Sequence, residues 1–417
     1  MSLNLNKILQ IFKQLLKNPQ SRKDITGFLE FGVGYGITLV VGFLLVRLIN
    51  QSLPQVEIGK YSFVASLVGL LSPILYFAAP QAYLRFHENH SISKLLRRFL
   101  LPFYYFSVLV LGITIWCYTH SMLAVFYAAM PLFTEKTYLL RCQMHITKLN
   151  ILKIAELLLP LFLVVICRQK NIALNADFIL FFYGLGYLTS YLFKSGKLNQ
   201  SPIEKKTVLK FLWPTVFTAM LGMFITNSAV LFTKHFFGYE AAGIMGIANK
   251  SLLFLNSMFA LFLMFYPMIY IREAEKRNFK LINIYRNGIM IIATGICIFF
   301  SIFSKAVYWL IGAKKYYAHT DLFVFLVWIA YFNFIADIFW LYFSYEIKTW
   351  KSTILKTITV FLILAVIVFT SRYGIYYITW VLLISVFLTA ITGAIWALNS
   401  EKKSFVNNSD QPQNNQP

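Results

Sequence analysis

The sequence predicts an all-α membrane protein that crosses the bilayer about twelve times. Its 417 residues are 59% hydrophobic and only 13% charged, whereas soluble domains carry roughly twice that charged fraction. Apolar runs recur from Ile25 almost to the C-terminus, and each is about 20 residues long, enough to cross ~30 Å of hydrocarbon as a helix. The runs are continuous rather than alternating, so they do not predict an outer-membrane β-barrel.

The twelve predicted spans form two sets of six, separated by the basic connection at residues 194–210. The first set covers residues 25–49, 61–84, 99–119, 122–144, 152–167 and 176–193. The second set covers residues 213–235, 241–271, 284–303, 319–345, 354–371 and 375–398. Charged residues interrupt span four at Glu135, Lys136 and Arg141.

The two sets open with similar patterns, and Gly59 aligns with Gly243. An even number of spans gives both halves the same orientation, as in parallel repeats related by an axis along the membrane normal. We therefore expect two pseudo-symmetric six-helix lobes, at residues 25–199 and 200–398, around a central cavity. Chance recurrence of loop-glycine patterns is the alternative.

The distribution of basic residues predicts the orientation of the spans. The connections on one side, together with the two termini, hold 27 of the 38 Lys and Arg residues, and the opposite connections hold 8. Basic loops stay in the cytoplasm, so we expect both termini there. In a membrane protein the net charge of +22 indicates contact with anionic lipids rather than with nucleic acid.

The two ends of the chain are predicted to lie outside the bilayer. Residues 1–24 place apolar side chains on one helical face and lysines on the other, which predicts an amphipathic interfacial helix; a poorly ordered basic tail is the alternative. Residues 399–417 end in SDQPQNNQP and are expected to form a disordered cytoplasmic tail. The four scattered cysteines form no CxxC or Cys/His cluster, so we predict neither a disulfide nor a metal or other cofactor.

Short motifs at corresponding places in the two halves resemble those of one known family. The stretch PQVEIGKYSF, which we expect to be a hairpin between spans one and two, is similar to the acidic–x–Gly–x–Tyr hairpin of O-antigen and polysaccharide flippases. YLRF, at the end of span two, resembles the family's Gly-x6-Arg exit, with Ala78-Ala79-Pro80 in place of the usual glycine. EAAGIMGIANK, at the start of span eight, is similar to the matching element of the second lobe.

These flippases belong to the multidrug/oligosaccharidyl-lipid/polysaccharide exporter superfamily, and the resemblance covers the whole chain in length and span count. It implies a transporter rather than an enzyme. The implied cargo is an undecaprenyl-pyrophosphate-linked oligosaccharide, such as an O-antigen repeat unit of lipopolysaccharide or a capsule repeat unit. Alternating access would move it from the cytoplasmic to the periplasmic leaflet of a bacterial inner membrane. The implied protein partners are a polysaccharide polymerase and a chain-length regulator.

Basic residues in or beside the spans are the candidate substrate-binding residues. A charge at the bilayer centre costs several kcal/mol unless it faces water or a partner. A diphosphate that leaves water needs fixed cations in place of its hydration shell. The candidates are Lys250, Arg47, Arg85, Lys136 and Arg141. A static ion pair with a buried acid is the alternative for each of them.

Two acids within the spans, Asp337 and Glu30, are the candidates for coupling transport to an H⁺ or Na⁺ gradient. A buried carboxylate can exchange protons near neutral pH, and a static ion pair is again the alternative. The chain contains no GxxxxGK[ST] sequence, so we do not expect it to hydrolyse ATP.

Two other functions remain open. A cation-coupled drug antiporter of the same superfamily would favour an acidic cavity, whereas the basic residues within the spans favour an anionic cargo. A polysaccharide polymerase or ligase would carry a large extracytoplasmic loop, and no predicted connection on that side is longer than about 18 residues.

Overall fold

The computed structural model describes residues 19–87, 91–275, 278–345, 350–370 and 373–409. In these ranges the chain is helical almost throughout and forms no β-strand beyond one isolated bridge. Nine helices of the described residues are long and apolar enough to cross a membrane. The structure thus confirms the predicted all-α, polytopic class.

The described residues form fourteen α-helices. They are α1 (Pro19–Ser52), α2 (Gln55–Leu75), α3 (Ala79–Phe86), α4 (Lys94–Thr119), α5 (Met130–Cys142), α6 (Ile146–Gln169), α7 (Ala176–Leu188), α8 (Lys205–Ser251), α9 (Leu253–Glu275), α10 (Phe279–Ile302), α11 (Ser304–Leu310), α12 (Thr320–Tyr345), α13 (Trp350–Thr370) and α14 (Ile375–Ser409). Short 3₁₀ helices lie at Ala124–Ala129, Thr189–Leu192 and Lys314–His319.

Every predicted span overlaps one of these helical segments. Span four is divided between the 3₁₀ helix at Ala124–Ala129 and α5. Helix α8 contains span seven and the first part of span eight. The chain turns within this helix at Gly238, where φ is +80°. Glycine adopts this left-handed conformation without steric cost. We call the two parts of α8, before and after Gly238, its first and second arms.

The second span differs most from its prediction. Helix α2 begins at Gln55, so the stretch PQVEIGKYSF forms its first turns instead of a hairpin. Pro54 precedes the helix and Glu57 lies in its first turn, both of which favour a helix N-terminus. The helix ends at Leu75, and α3 follows a break in which Ala78 has a φ of +48°. Ala78 thus adopts a conformation that glycine takes more readily.

The terminal boundaries also differ from those predicted. Helix α1 begins at Pro19, so residues 19–24 are continuous with the helix that contains the first predicted span. Helix α14 continues past residue 398 to Ser409. The remainder of both predicted segments, residues 1–18 and 410–417, lies outside the described residues.

Helices α2 and α8 pack backbone against backbone at two glycines. Gly59 lies against the carbonyl oxygen of Tyr239, and Gly243 lies against that of Gln55, so a Cβ at either glycine would overlap the oxygen. Both Gly59–Gly243 and Gln55–Tyr239 are separated by 184 positions. A single two-fold rotation therefore exchanges the two contacts, as the alignment of Gly59 with Gly243 requires.

Both arms of α8 run along α2. Asn227, in the first arm, lies beside Gly69, whereas Gly246, in the second arm, lies beside Ser62. These contacts extend from the turn at Gly238 towards the middle of the bundle. We call the end of the bundle that carries the basic connections the basic end, and Gly238 lies at the end opposite to it.

We expect Gly59→Ala to lower the melting temperature of the purified protein. The added methyl group must displace the Tyr239 carbonyl, and overpacking of this kind costs about 1–3 kcal/mol. Gly295→Ala in α10 is the matched control, because a Cβ there meets nothing within 4 Å and alanine is the better helix former. Thermal unfolding followed by tryptophan fluorescence in detergent measures both. Equal melting temperatures for the two variants would show that the α2–α8 contact tolerates a side chain.

Candidate functional site

Lys250 lies near the end of α8, and its side chain reaches α2. Its Nζ atom is 4.0 Å from the ring centroid of Tyr61. The Nζ atom is buried and has no hydrogen-bond partner among the described residues. A desolvated cation–π contact contributes about 2 kcal/mol, whereas burial of an ammonium group costs several kcal/mol. Tyr61 therefore offsets only part of the cost of burying Lys250.

The first two residues of the acidic–x–Gly–x–Tyr motif also hold α2 in place. Glu57 accepts a hydrogen bond from the backbone N–H of Ala176 at 2.9 Å and forms an ion pair with Lys60 at 2.6 Å. The carboxylate thereby binds the positive N-terminal end of α7. Gly59 allows α8 to approach. Together these contacts position Tyr61, the third residue of the motif.

Tyr61 belongs to a group of tyrosines within the first half. Tyr61 stacks on Tyr183 at a centroid distance of 5.8 Å, and Tyr127 lies edge-on to Tyr183 at 6.5 Å. Glu156 of α6 interacts electrostatically with all three tyrosines. It was not among the residues predicted from the sequence. The available signal was a single acid in the apolar run ILKIAELLLP.

A cavity of about 250 Å³ lies among α8, α12, α13 and α14. Asp337 and Lys356 both line it, and no ion pair within 4 Å joins them. Asp337 is exposed to this cavity although its two neighbours in the chain are buried. Lys356 lies over the ring of Trp340 at 5.7 Å and beside Gly222, whose missing side chain leaves room for it. The other polar residues of the lining are Gln81, Thr226, Asn333, Thr359 and Thr389.

Lys356 was not among the predicted site residues, although it lies near the start of the predicted span at residues 354–371. In the structure it lies in α13, which begins at Trp350, and it interacts electrostatically with Asp337. The apolar run of α13 starts only a few residues before Lys356. Hydropathy alone therefore places Lys356 at the boundary between the connection and the membrane span.

Arg47 lies in a second cavity, a crevice of about 350 Å³ at the end opposite the basic end. We call it the Arg47 crevice; its lining is Arg47, Asn50, Gln51, Trp309, Gly312, Lys314 and Lys315. It is formed by the end of α1 and the connection that follows α11.

Three other predicted cations lie in the first half towards the basic end. Arg85 is exposed on α3. Lys136 donates a hydrogen bond to Ser195 Oγ at 3.0 Å. Arg141 lies over the ring of Tyr138, one turn earlier in α5, at 5.9 Å.

The structure does not bring the predicted residues into one cavity. Lys250 is covered by Tyr61, Arg47 lies in its own crevice, and Asp337 lines the cavity of the second half. Glu30 is exposed and accepts a hydrogen bond from Thr147 Oγ1 at 2.5 Å.

Two ion pairs with buried glutamates show what structural cations look like among the described residues. Arg97 pairs with Glu135 at 2.9 Å, and Arg286 pairs with Glu401 at 2.9 Å. The second pair ties α14 to α10 and accounts for the continuation of α14 beyond its predicted end. Lys250 forms no such pair among the described residues.

Known proteins match this chain in structure rather than in sequence. No protein-family model matches the sequence, and no curated protein matches it. A crystal structure of MATE in the straight conformation is similar over 94% of this chain and 98% of its own, with a TM-score of 0.61 and 14% identity. The fold is that of the MATE transporters.

The same fold has been captured in two conformations in a multidrug resistance MATE family transporter of the MOP superfamily. The outward-facing structure matches 94% of this chain and 98% of its own, with a TM-score of 0.60 and 13% identity. The inward-facing structure matches 91% and 96%, with a TM-score of 0.55 and 13% identity. These matches show a shared fold.

We expect Lys250→Met to raise the melting temperature and Arg286→Met to lower it. The first change removes a buried charge that has no ionic partner, whereas the second leaves Glu401 buried and unpaired, at a cost of about 3–5 kcal/mol. Lys280→Met, at an exposed position of α10, is the control and should change little. A decrease for Lys250→Met as large as that for Arg286→Met would make Lys250 a structural residue.

Proposed function

We propose that this chain is an alternating-access transporter whose cargo is an undecaprenyl-pyrophosphate-linked oligosaccharide. The observation that carries the proposal is Lys250, an ammonium group buried between the two halves without an ionic partner among the described residues. Such a charge destabilises the conformation that buries it. A function that uses the charge in another conformation explains why it is present.

The packing of α2 against α8 supports this mechanism. At Gly59 and Gly243 the two helices meet through backbone atoms rather than interlocked side chains. Separation would also remove Tyr61 from Lys250 and expose the ammonium group to the cleft. An anionic cargo that binds Lys250 only in this open state would shift the equilibrium towards it, since a ligand favours the state it binds more tightly.

A diphosphate suits such a cation because its charge must be neutralised when it leaves water. The membrane orientation belongs to the same proposal. With both termini in the cytoplasm of a bacterium, the α2–α8 contact would close the periplasmic side of the inner membrane. Release of the contact would then open the cleft to the leaflet in which the cargo is delivered.

The flippase proposal is tested in a bacterial strain from which the gene is deleted. Undecaprenyl-linked repeat units should accumulate on the cytoplasmic leaflet, and the intact gene should restore surface polysaccharide. Lys250→Arg should restore most of the export. Lys250→Ala should restore about tenfold less, since a hydrogen bond to a charged group contributes about 1.5–3 kcal/mol. Radiolabelled lipid-linked sugars and surface polysaccharide are the two measurements.

The control for this experiment is Lys170→Ala, at an exposed position just after α6; it should export like the intact protein. If no lipid-linked repeat units accumulate in the deletion strain, the cargo is not a lipid-linked oligosaccharide. If both Lys250 variants export equally, Lys250 takes no part in transport.

A cation-coupled antiporter for cationic drugs is the second candidate function. Two observations favour it: Asp337 is open to a cavity within the second half, and two of the fold neighbours are described as multidrug resistance transporters. A carboxylate exposed to a cavity can exchange a proton for a cationic cargo. Lys356 lines the same cavity. Its positive charge would stabilise the Asp337 carboxylate when that carboxylate binds neither a proton nor a cationic drug.

The second candidate predicts that expression of the chain in a drug-sensitive strain raises the minimal inhibitory concentration of cationic dyes such as ethidium. Asp337→Asn should abolish the effect, because an amide binds neither a proton nor a cation at neutral pH. Asp321→Asn, at an exposed position of the same helix, should retain it. No resistance from the intact chain would exclude the drug antiporter, and resistance without any accumulation of repeat units would exclude the flippase.

A further inference from the structure

The Arg47 crevice has features of a binding site that the transport proposal does not use. It is formed by residues far apart in the chain, from α1 and from the connection after α11. Its volume of about 350 Å³ accommodates a small polar group.

Gly312 brings the two sides of the crevice together. Its φ of +71° turns the chain after α11, and a Cβ at this position would lie 3.0 Å from Arg47 Cγ and 3.1 Å from Gln51 Cγ. The turn therefore needs glycine both for its conformation and for its approach to α1. As a result, Lys314 and Lys315 face the crevice beside Arg47.

The crevice concentrates positive charge. Three of its seven lining residues are cations and none is acidic. The Arg47 guanidinium carbon and Lys314 Nζ lie 5.7 Å and 5.9 Å from the centroid of the same Trp309 ring. Like charges that line one crevice repel each other, and a bound anion would relieve the repulsion.

Two acids act on residues near the crevice, but neither lines it. Glu240 interacts electrostatically with Tyr316, and Asp321 interacts with Tyr308 and Tyr376. None of these residues lines the crevice. The positive charge of the crevice is therefore open to a ligand.

Two side-chain amides complete the lining. Asn50 is buried and donates a hydrogen bond to the Ile311 carbonyl oxygen at 3.0 Å, which fastens α1 to the turn. Gln51 accepts a hydrogen bond from Arg168 Nη1 at 3.3 Å. With its oxygen engaged, Gln51 has an NH₂ group left to donate to a ligand.

Apolar side chains beside the crevice indicate its depth in the membrane. Trp309 is 47% exposed, and its neighbours Leu44 and Leu310 are 49% and 42% exposed. Exposed tryptophan beside exposed leucine is typical of the boundary between acyl chains and headgroups. We therefore expect the three cations at the level of lipid phosphates.

We propose that the Arg47 crevice binds a phosphate group, with the arginine as a bidentate donor and the two lysines as point charges. Anionic phospholipids of the adjacent leaflet and soluble phosphates both offer this chemistry. Because the crevice joins α1 to the turn after α11, a bound phosphate would hold these two segments together. The inference does not depend on the identity of the transported cargo, because phosphate binding to the crevice is measured in the absence of cargo.

The site is tested by native mass spectrometry of the full-length protein in detergent with added phosphatidylglycerol. The intact protein should retain the anionic lipid in preference to phosphatidylcholine. Lys314→Gln combined with Lys315→Gln should bind it at least about tenfold more weakly, because each basic residue at a membrane surface contributes to the attraction. Both lysines are exposed, so an unchanged melting temperature should accompany the loss.

Lys305→Gln, an exposed cation of α11 outside the crevice, is the matched control and should bind like the intact protein. Added inorganic pyrophosphate distinguishes the two sources of phosphate. Displacement of the lipid supports a site open to soluble phosphates as well, and retention of the lipid supports a headgroup site. Equal lipid binding by the double variant and the intact protein, or an equal loss in Lys305→Gln, would overturn the proposal.

Discussion

The backbone contact between α2 and α8 is the constraint on which the rest of the structure depends. Gly59 and Gly243 allow each helix to reach a carbonyl oxygen of the other, at a separation that any side chain would prevent. This proximity sets where the second arm of α8 lies along α2 and hence where Lys250 meets Tyr61. The same placement of α2 brings Glu57 to the N-terminus of α7. One pair of glycines thereby aligns elements of both halves.

The charged residues of the membrane region fall into two groups with different physical roles. Arg97 and Arg286 each pair with a buried glutamate at 2.9 Å, and these pairs fasten helices to one another. Lys250 has an aromatic ring but no carboxylate, and Arg47 shares its crevice with two further cations. Charges of the second group are compensated by aromatic rings, at Tyr61 and Trp309, rather than by carboxylates of the described residues.

The sequence is sufficient to predict the class of the fold, because apolar runs of membrane-spanning length leave few alternatives. It also identifies Lys250 as an isolated cation and Gly59 as the partner of Gly243 in the repeat. The sequence does not locate the start of α2 correctly. Gly59 lies close to Pro54, and this combination indicates a turn unless it is known that α8 packs against the glycine. Glu156 is overlooked because its tyrosine neighbours come from distant parts of the chain.

The contact of Ser62 with Gly246 has a consequence for how such a molecule can be assembled. These residues are also 184 positions apart, and a Cβ on Gly246 would overlap the serine side chain. Two identical subunits would present the same residue twice at this spot, where only one side chain fits. A single chain that carries both repeats can place serine in one and glycine in the other. Covalent fusion of the repeats therefore permits two different residues at this place in the seam, which a symmetric homodimer could not have.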